Sequence, residues 1–377
     1  MAGQARFVFA RFLKKNPLLT PAAEITFKQR VEAFWEWYAG IAGRFYQEIE
    51  AGRCSGLADE VSENVDKRLT HFAWVFGPGA EGKGHSFTLT AEANRHRQFL
   101  TQYWHSRAPR LSGWTFFPAR QPGRLGCIVL DESQLRFDPI EFWLTPYVDD
   151  QDEEIDLTVW HPLFARMPEK QRWMVLFLFL DEALGEYCTQ QRIGEIKLNG
   201  ERLAQAIPLA ELPEFVAKTE SAKGWKRHQP GEAGTTYRIN DLEGSFPRSD
   251  IFVGGSMHFS LVREFIRADG QLADPLAGTG ADLIYVTFPA KHLPNGEEVA
   301  VRGCIEDALD ETLRAAASGR LIGGAMGRKN AYIDLLIFDG AESLNLVRDV
   351  LLRQRLPAST TIRFFAKEKA GRVIPLR

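Results

Sequence analysis

Cysteine is scarce in this sequence, and the four present, Cys54, Cys127, Cys188 and Cys304, are far apart. With no C-x-x-C pair and no Cys/His grouping, a disulfide-framed secreted domain and a structural zinc module are excluded. The sulfurs read as four reduced core thiols. Long apolar runs are also missing: the longest, Trp173 to Leu180, has eight residues, against the roughly 20 needed to cross a bilayer. No membrane span is expected. The opening ARFVFARFLKKNPLL is interrupted by Arg6, Arg11, Lys14 and Lys15, so it lacks the unbroken apolar stretch and small-residue cleavage site of a secretory signal. The expected location is the cytoplasm. An excess of one charge is absent as well, since 46 Lys and Arg stand against 49 Asp and Glu, a net charge of −3. Any nucleic-acid or membrane-surface function has to be local.

What is present fits an ordinary globular chain. The 377 residues are 45% apolar and 25% charged, a composition that suits two domains of an ordinary globular protein. Apolar residues recur at threes and fours from Phe27 to about Gly52, and again from Leu57 to Phe72, predicting an antiparallel helical hairpin. FAWVFGPGAEGKGHSFTLTA reads as a β-hairpin, and a helix follows from about Asn94 to Ser106. Strands are expected at 114–119, 128–130, 141–147 and 155–160. Pro168 opens a helix through LDEALGEYCTQQ that is apolar all round its centre, and IGEIKL returns as a strand.

Lys218 to Thr236 turns polar and reads as a linker. Beyond it, strands at 251–253, 283–288, 299–302, 321–326, 331–338 and 361–365 interleave with helices at 259–268, 305–317 and 341–355. The predicted organisation is an N-terminal arm (1–26), an α+β domain with a helical hairpin and a buried central helix (27–217), a linker (218–236) and an α+β sandwich (237–377). Both domains are expected to carry mostly antiparallel sheet with helices on one face, the second in ferredoxin-like fashion.

Catalytic motifs are weak. IFVGGSMHFSLVREF presents Ser256 much as a nucleophile elbow does, but His258 stands where G-x-S-x-G needs a small residue. Ser256 therefore reads as a helix cap. GGAMGRK lacks the phosphate-loop spacing and runs into a strand, so it reads as a hairpin, and no G-x-G-x-x-G opens a strand-turn-helix unit. No cofactor is expected. Asp181, Glu182 and Glu186 end the apolar helix, with Glu182 and Glu186 one turn apart on the same face. They make an acidic site suited to a hard cation or an acid/base pair, or else ordinary partners for arginine; no second helix supplies further ligands. The eight histidines form no H-E-x-x-H or close Cys/Asp grouping, so no metal site and no catalytic residue is assigned.

Charge order is more informative. From Ala93 to Leu130 there are six arginines, including Arg95, Arg97 and Arg107, and no acid. From Asp131 to Asp156 ten acids, among them Asp149, Asp150, Asp152, Glu153 and Glu154, face Arg136 alone. The two blocks read as surfaces for a protein partner or as mates within the fold. Arginines interleaved with Tyr103, Trp104, Trp114, Phe116 and Phe117 also suit single-stranded nucleic acid, the less favoured reading.

The blocks FWEWYAG (34–40), FAWVFGPG (72–79), RAPRLSGWTFFPARQP (107–122), LDEALGEYCTQQRIGEI (180–196) and GGAMGRKNAYIDLLIFD (323–339) resemble recurring blocks of an uncharacterised family of bacterial cytoplasmic proteins. The resemblance implies a bacterial α+β protein and transfers no catalytic residue. The expected function is non-enzymatic, through protein contacts of a regulatory or immunity type. The alternatives are an atypical hydrolase or metal-dependent enzyme using Asp181, Glu182 and Glu186, or Ser256 with His161 or His258 nearby, and single-strand nucleic-acid binding through the arginines. Oligomeric state is left open.

Overall fold

The computed structural model describes residues 25–130, 135–240, 242 and 244–377. Of the expected N-terminal arm only Ile25 and Thr26 fall among them, and Asp131 and Glu132 of the acidic block also lie outside. Along the chain the elements are α1 (Phe27–Glu50), α2 (Ala58–Arg68), β1 (Ala73–Pro78), β2 (His85–Thr90), α3 (Arg95–Ser106), β3 (Trp114–Phe117), β4 (Ile128–Leu130), β5 (Leu135–Phe137), β6 (Trp143–Asp149), β7 (Glu154–Trp160), α4 (Glu169–Leu184), α5 (Glu186–Arg192), β8 (Ile193–Leu198), β9 (Ile207–Pro208), α6 (Leu212–Lys223), β10 (Thr235–Arg238), β11 (Ile251–Ser256), α7 (Phe259–Arg267), β12 (Asp282–Pro289), α8 (Glu298–Ala315), β13 (Gly319–Gly327), β14 (Asn330–Ile337), α9 (Gly340–Arg353), β15 (Thr361–Phe364) and β16 (Ile374–Pro375). The fold is α+β with several separate sheets.

Two compact units result. The first holds the described residues up to Phe87 with Asn94–Thr115 and Pro230–Arg377; the second holds Thr88–Ala93 and Phe116–Gln229. The sequence grouped 27–217 together, whereas 27–87 and 94–115 cluster with the C-terminal part. The reason is a set of long-range contacts that leave no local trace. Phe27 N–H donates to Gly280 O at 3.0 Å and Lys28 N–H to Phe338 O at 2.9 Å, while the Phe338 ring packs on Phe27 and Tyr103. The expected linker contains the end of α6 and the start of β10.

In the first unit, Thr26 and Gln29 form a capping box at the start of α1, satisfying N–H groups that have no intrahelical acceptor. Of the predicted stripe, Val31, Phe34, Trp35, Tyr38 and Phe45 are buried while Ile41 and Ile49 are half-buried, and Trp35 stacks on Trp104 of α3 at 4.5 Å. The seven-stranded sheet runs β10-β11-β13-β14-β12-β15-β16. Within it β12-α8-β13-β14-α9-β15 forms the order β15-β12-β14-β13, antiparallel throughout, which is the ferredoxin-like arrangement. Period-2 alternation sends Ile284, Val286, Ile333 and Leu335 toward Ile305 and Leu309 of α8 and Val347 and Leu351 of α9. The other face carries Tyr285, Tyr332 and Asp334. There Arg248, at φ 71°, pairs with Asp334 through its two terminal guanidinium nitrogens and lies over the rings of Tyr285, Tyr332 and Phe365. The strand expected at 299–302 is instead the opening of α8. Val299 and Val301 are tolerated there because no preceding turn crowds a β-branched side chain.

The second unit carries the sheet β8-β7-β6-β9, antiparallel except for β7 with β8. Leu144, Ile155, Leu157 and Val159 pack with Val175, Leu176, Phe179 and Leu180 of α4, so the expected buried central helix is there. It is shorter than expected. Gly185, at φ 81° and ψ 148°, ends α4, and α5 begins afresh at Glu186. A Cβ at Gly185 would lie 2.8 Å from Pro122 Cδ. The predicted same-face pairing of Glu182 and Glu186 is therefore broken. The thiol expectation also changes: Cys188 is buried, Cys54 intermediate, and Cys127 and Cys304 exposed, since loop and outer-helix positions put the last two at the surface. Among the described residues no helix is long and apolar enough to cross a membrane.

Candidate functional site

The predicted acidic block gathers at the tip of the β6–β7 hairpin. Register pairs Trp143 with Trp160, Thr145 with Thr158, Tyr147 with Asp156 and Asp149 with Glu154. Since Leu144, Ile155, Leu157 and Val159 take the core face, alternation turns the paired residues to the other side. Asp149 folds the tip: its Oδ1 accepts the N–H of Gln151 at 2.8 Å and of Asp152 at 3.3 Å, an Asx turn. Asp150, Asp152 and Glu153 are exposed, and Tyr147 beside them is 70% exposed.

The tip is anchored from below by Arg192. This side chain is buried at 2% exposure and donates to Glu153 O at 3.1 Å, Lys226 O at 2.7 Å and Glu220 Oε1 at 2.8 Å. Burial alone would raise the Glu220 carboxyl, but hydrogen bonds from Arg227 and Arg192 hold it below its usual range. Lys223 reaches Asp150 at 2.7 Å. The tip is thus an acidic surface held by Arg192 and Lys223.

Asp181 and Glu186 form a different kind of site. Glu186 is fully buried; its carboxylate accepts the Thr90 hydroxyl at 2.6 Å, the Arg120 N–H at 3.2 Å and the Ala93 N–H at 3.3 Å. It fastens the 88–93 segment to α5. Burial, then the Glu186 charge, pushes the Asp181 carboxyl up to about 7. Glu182 lies against Gly123 and is raised by burial, with Arg120 opposing. Among the described residues no group of three or more His, Cys, Asp or Glu is placed to hold a metal ion.

Arg95, Arg97 and Arg107 lie in the first unit along α3 and its C-cap. Arg95 and Arg107 are exposed, whereas Arg97 is half-buried and donates to His71 O at 3.5 Å. Of the aromatic residues between the arginines, Trp114 and Phe117 are half-buried. Tyr103, Trp104 and Phe116 are buried, and the Trp114 indole N–H donates to Ala42 O.

Sequence reasoning missed Trp143, Tyr147, Trp160 and Arg192 as members of the acidic site. Strand alternation carried a signal for the three aromatics; nothing local carried one for Arg192. Ser256 ends β11, accepting the His258 N–H at 2.9 Å and donating to Ile322 O at 3.3 Å; the N-cap of α7 is His258, without a side-chain cap bond, so the expected cap by Ser256 is not formed. His161 sits among Phe137, Phe142 and Phe164, and burial lowers it to about 4. Comparison with protein-family models, curated proteins and solved structures returns no match, so these sites are read from their own chemistry.

Proposed function

We propose that this is a bacterial cytoplasmic protein acting through protein contacts, in a regulatory or immunity-type role, and that its β6–β7 tip receives a partner with a basic surface. The observation that carries the reading is the preorganised acidic tip. An Asx turn and a buried arginine hold its backbone, so little ordering entropy opposes binding. Exposed carboxylates beside an exposed tyrosine match the charged rim and aromatic anchor of protein interfaces. Complementary charge speeds encounter and rejects acidic competitors.

The test is affinity capture from bacterial cytoplasm, followed by binding measurements with the purified partner. The variant is Asp150→Lys with Asp152→Lys and Glu153→Lys; Asp149 is kept because it folds the tip. A basic partner whose affinity falls at least tenfold in this variant, and also on raising salt, supports the reading. Tyr147→Ala should weaken binding without changing the salt dependence. Equal affinity for both forms overturns it.

A further inference from the structure

The first unit brings His96 of α3 into one hydrogen-bonded line with three side chains at the N-cap and along α7, His258, Ser260 and Glu264. Ser260 Oγ lies 3.2 Å from His258 Nδ1, His258 Nε2 lies 2.8 Å from His96 Nδ1, and His96 Nε2 lies 3.0 Å from Glu264 Oε2. His258 is 4% exposed, with the Phe99 ring packed on it at 4.7 Å. The Glu264 side chain is 43% exposed.

The proton order along this line follows from one end. An ionised carboxylate only accepts, so His96 carries its proton on Nε2 and, when neutral, presents a lone pair at Nδ1. His258 must then donate from Nε2, which leaves its Nδ1 as an acceptor. The hydrogen of Ser260 is thereby directed onto an imidazole lone pair. This proton order, with the Ser260 hydrogen on a lone pair of His258, holds while both imidazoles are neutral. Burial, then the charges of His96 and Arg95, keeps His258 well below the usual imidazole range. Burial likewise lowers His96, with Glu264 opposing and Arg97 adding to the shift.

We propose that Ser260 is a nucleophile for carboxylic esters, with His258 as its proton acceptor and His96 and Glu264 as positioning residues. In the acylation step the Ser260 Oγ–carbon bond forms while the hydroxyl proton moves to His258 Nδ1. The departing alkoxide takes a proton back as its bond to carbon breaks. Water then repeats the sequence to release the acid. Buried His258 need not keep the positive charge: its Nε2 proton passes to His96 Nδ1, so the imidazolium forms beside the Glu264 carboxylate. The Phe259 and Ser260 N–H groups precede that of Leu261, which goes to His258 O at 3.1 Å, and they lie next to the Ser260 hydroxyl, where a developing oxyanion would be stabilised. This function belongs to the first unit and does not depend on the acidic tip of the second.

The probe is a fluorophosphonate, which forms a bond from Ser260 Oγ to phosphorus, expels fluoride and sends the same proton to His258. Labelling of the full chain should map to Ser260, fall as pH drops through the range where the imidazoles protonate, and vanish in Ser260→Ala. His96→Asn and Glu264→Gln should slow it about tenfold or more, within the range of general-base assistance. Glu264→Gln lies at a half-exposed position, so folding is retained and its effect reads the relay alone. Labelling of Ser260 no faster than in the denatured chain, or a rate indifferent to Glu264→Gln and to pH, overturns the proposal. Charge reversal at Asp150, Asp152 and Glu153 should leave labelling unchanged.

Discussion

At the residue scale, two buried titratable groups of the second unit should set opposite slopes of stability against pH. Asp181 holds its proton up to about 7 when folded, while an unfolded aspartate releases it near 3.9. Its contribution is complete below the unfolded value and is lost as pH rises through about 7. His161 is lowered to about 4 from the usual value near 6.5, so its contribution is present above that value and is lost as pH falls through about 4. Asp181→Asn should therefore make the melting temperature rise more steeply between pH 4 and 7. His161→Asn keeps an acceptor for the Leu163 N–H and should tilt it the other way. Thermal melts at pH 4, 5.5 and 7 read both; parallel curves for wild type and variants count against the assignment.

At the element scale, two positions join elements that cannot slide. Gly185 occupies backbone space that is nearly glycine-only, so Gly185→Ala should cost about 1–3 kcal/mol in urea denaturation, with the approach to Pro122 adding to it. The Arg248–Asp334 pair crosses from a loop to β14, and both side chains are 1% exposed. Removing one partner leaves a buried charge alone, so Asp334→Ala should cost about 3–5 kcal/mol. A loss below 1 kcal/mol in urea titration would mean that water replaces the carboxylate. Helices and hairpins were the most legible elements, because periodicity and turn chemistry act over neighbouring residues. The split at Gly185 went unread, although a glycine closing an apolar helix is itself a local stop signal.

At the scale of the whole molecule, the first unit is discontinuous in sequence. A fragment of residues 237–377 contains the ferredoxin-like strands but lacks Phe27 and Tyr103, which cover Phe338, and the bonds from α1 to Gly280 and Phe338. The fragment is expected to lose cooperative melting that the full chain retains, with calorimetry as the measurement. A sharp transition in the fragment would show that the sheet needs nothing from α1 and α3.

The sequence alone determined the helices with one buried stripe, the β-hairpins, the α+β class and the location of the acidic block, because these depend on near neighbours. Only the tertiary structure decided that Arg192 anchors the acidic tip, that Glu186 holds the 88–93 segment, and that His96 meets His258 across 162 positions. Such pairings rest on chain reversal and burial, and no spacing rule along one strand or helix encodes which distant partner arrives.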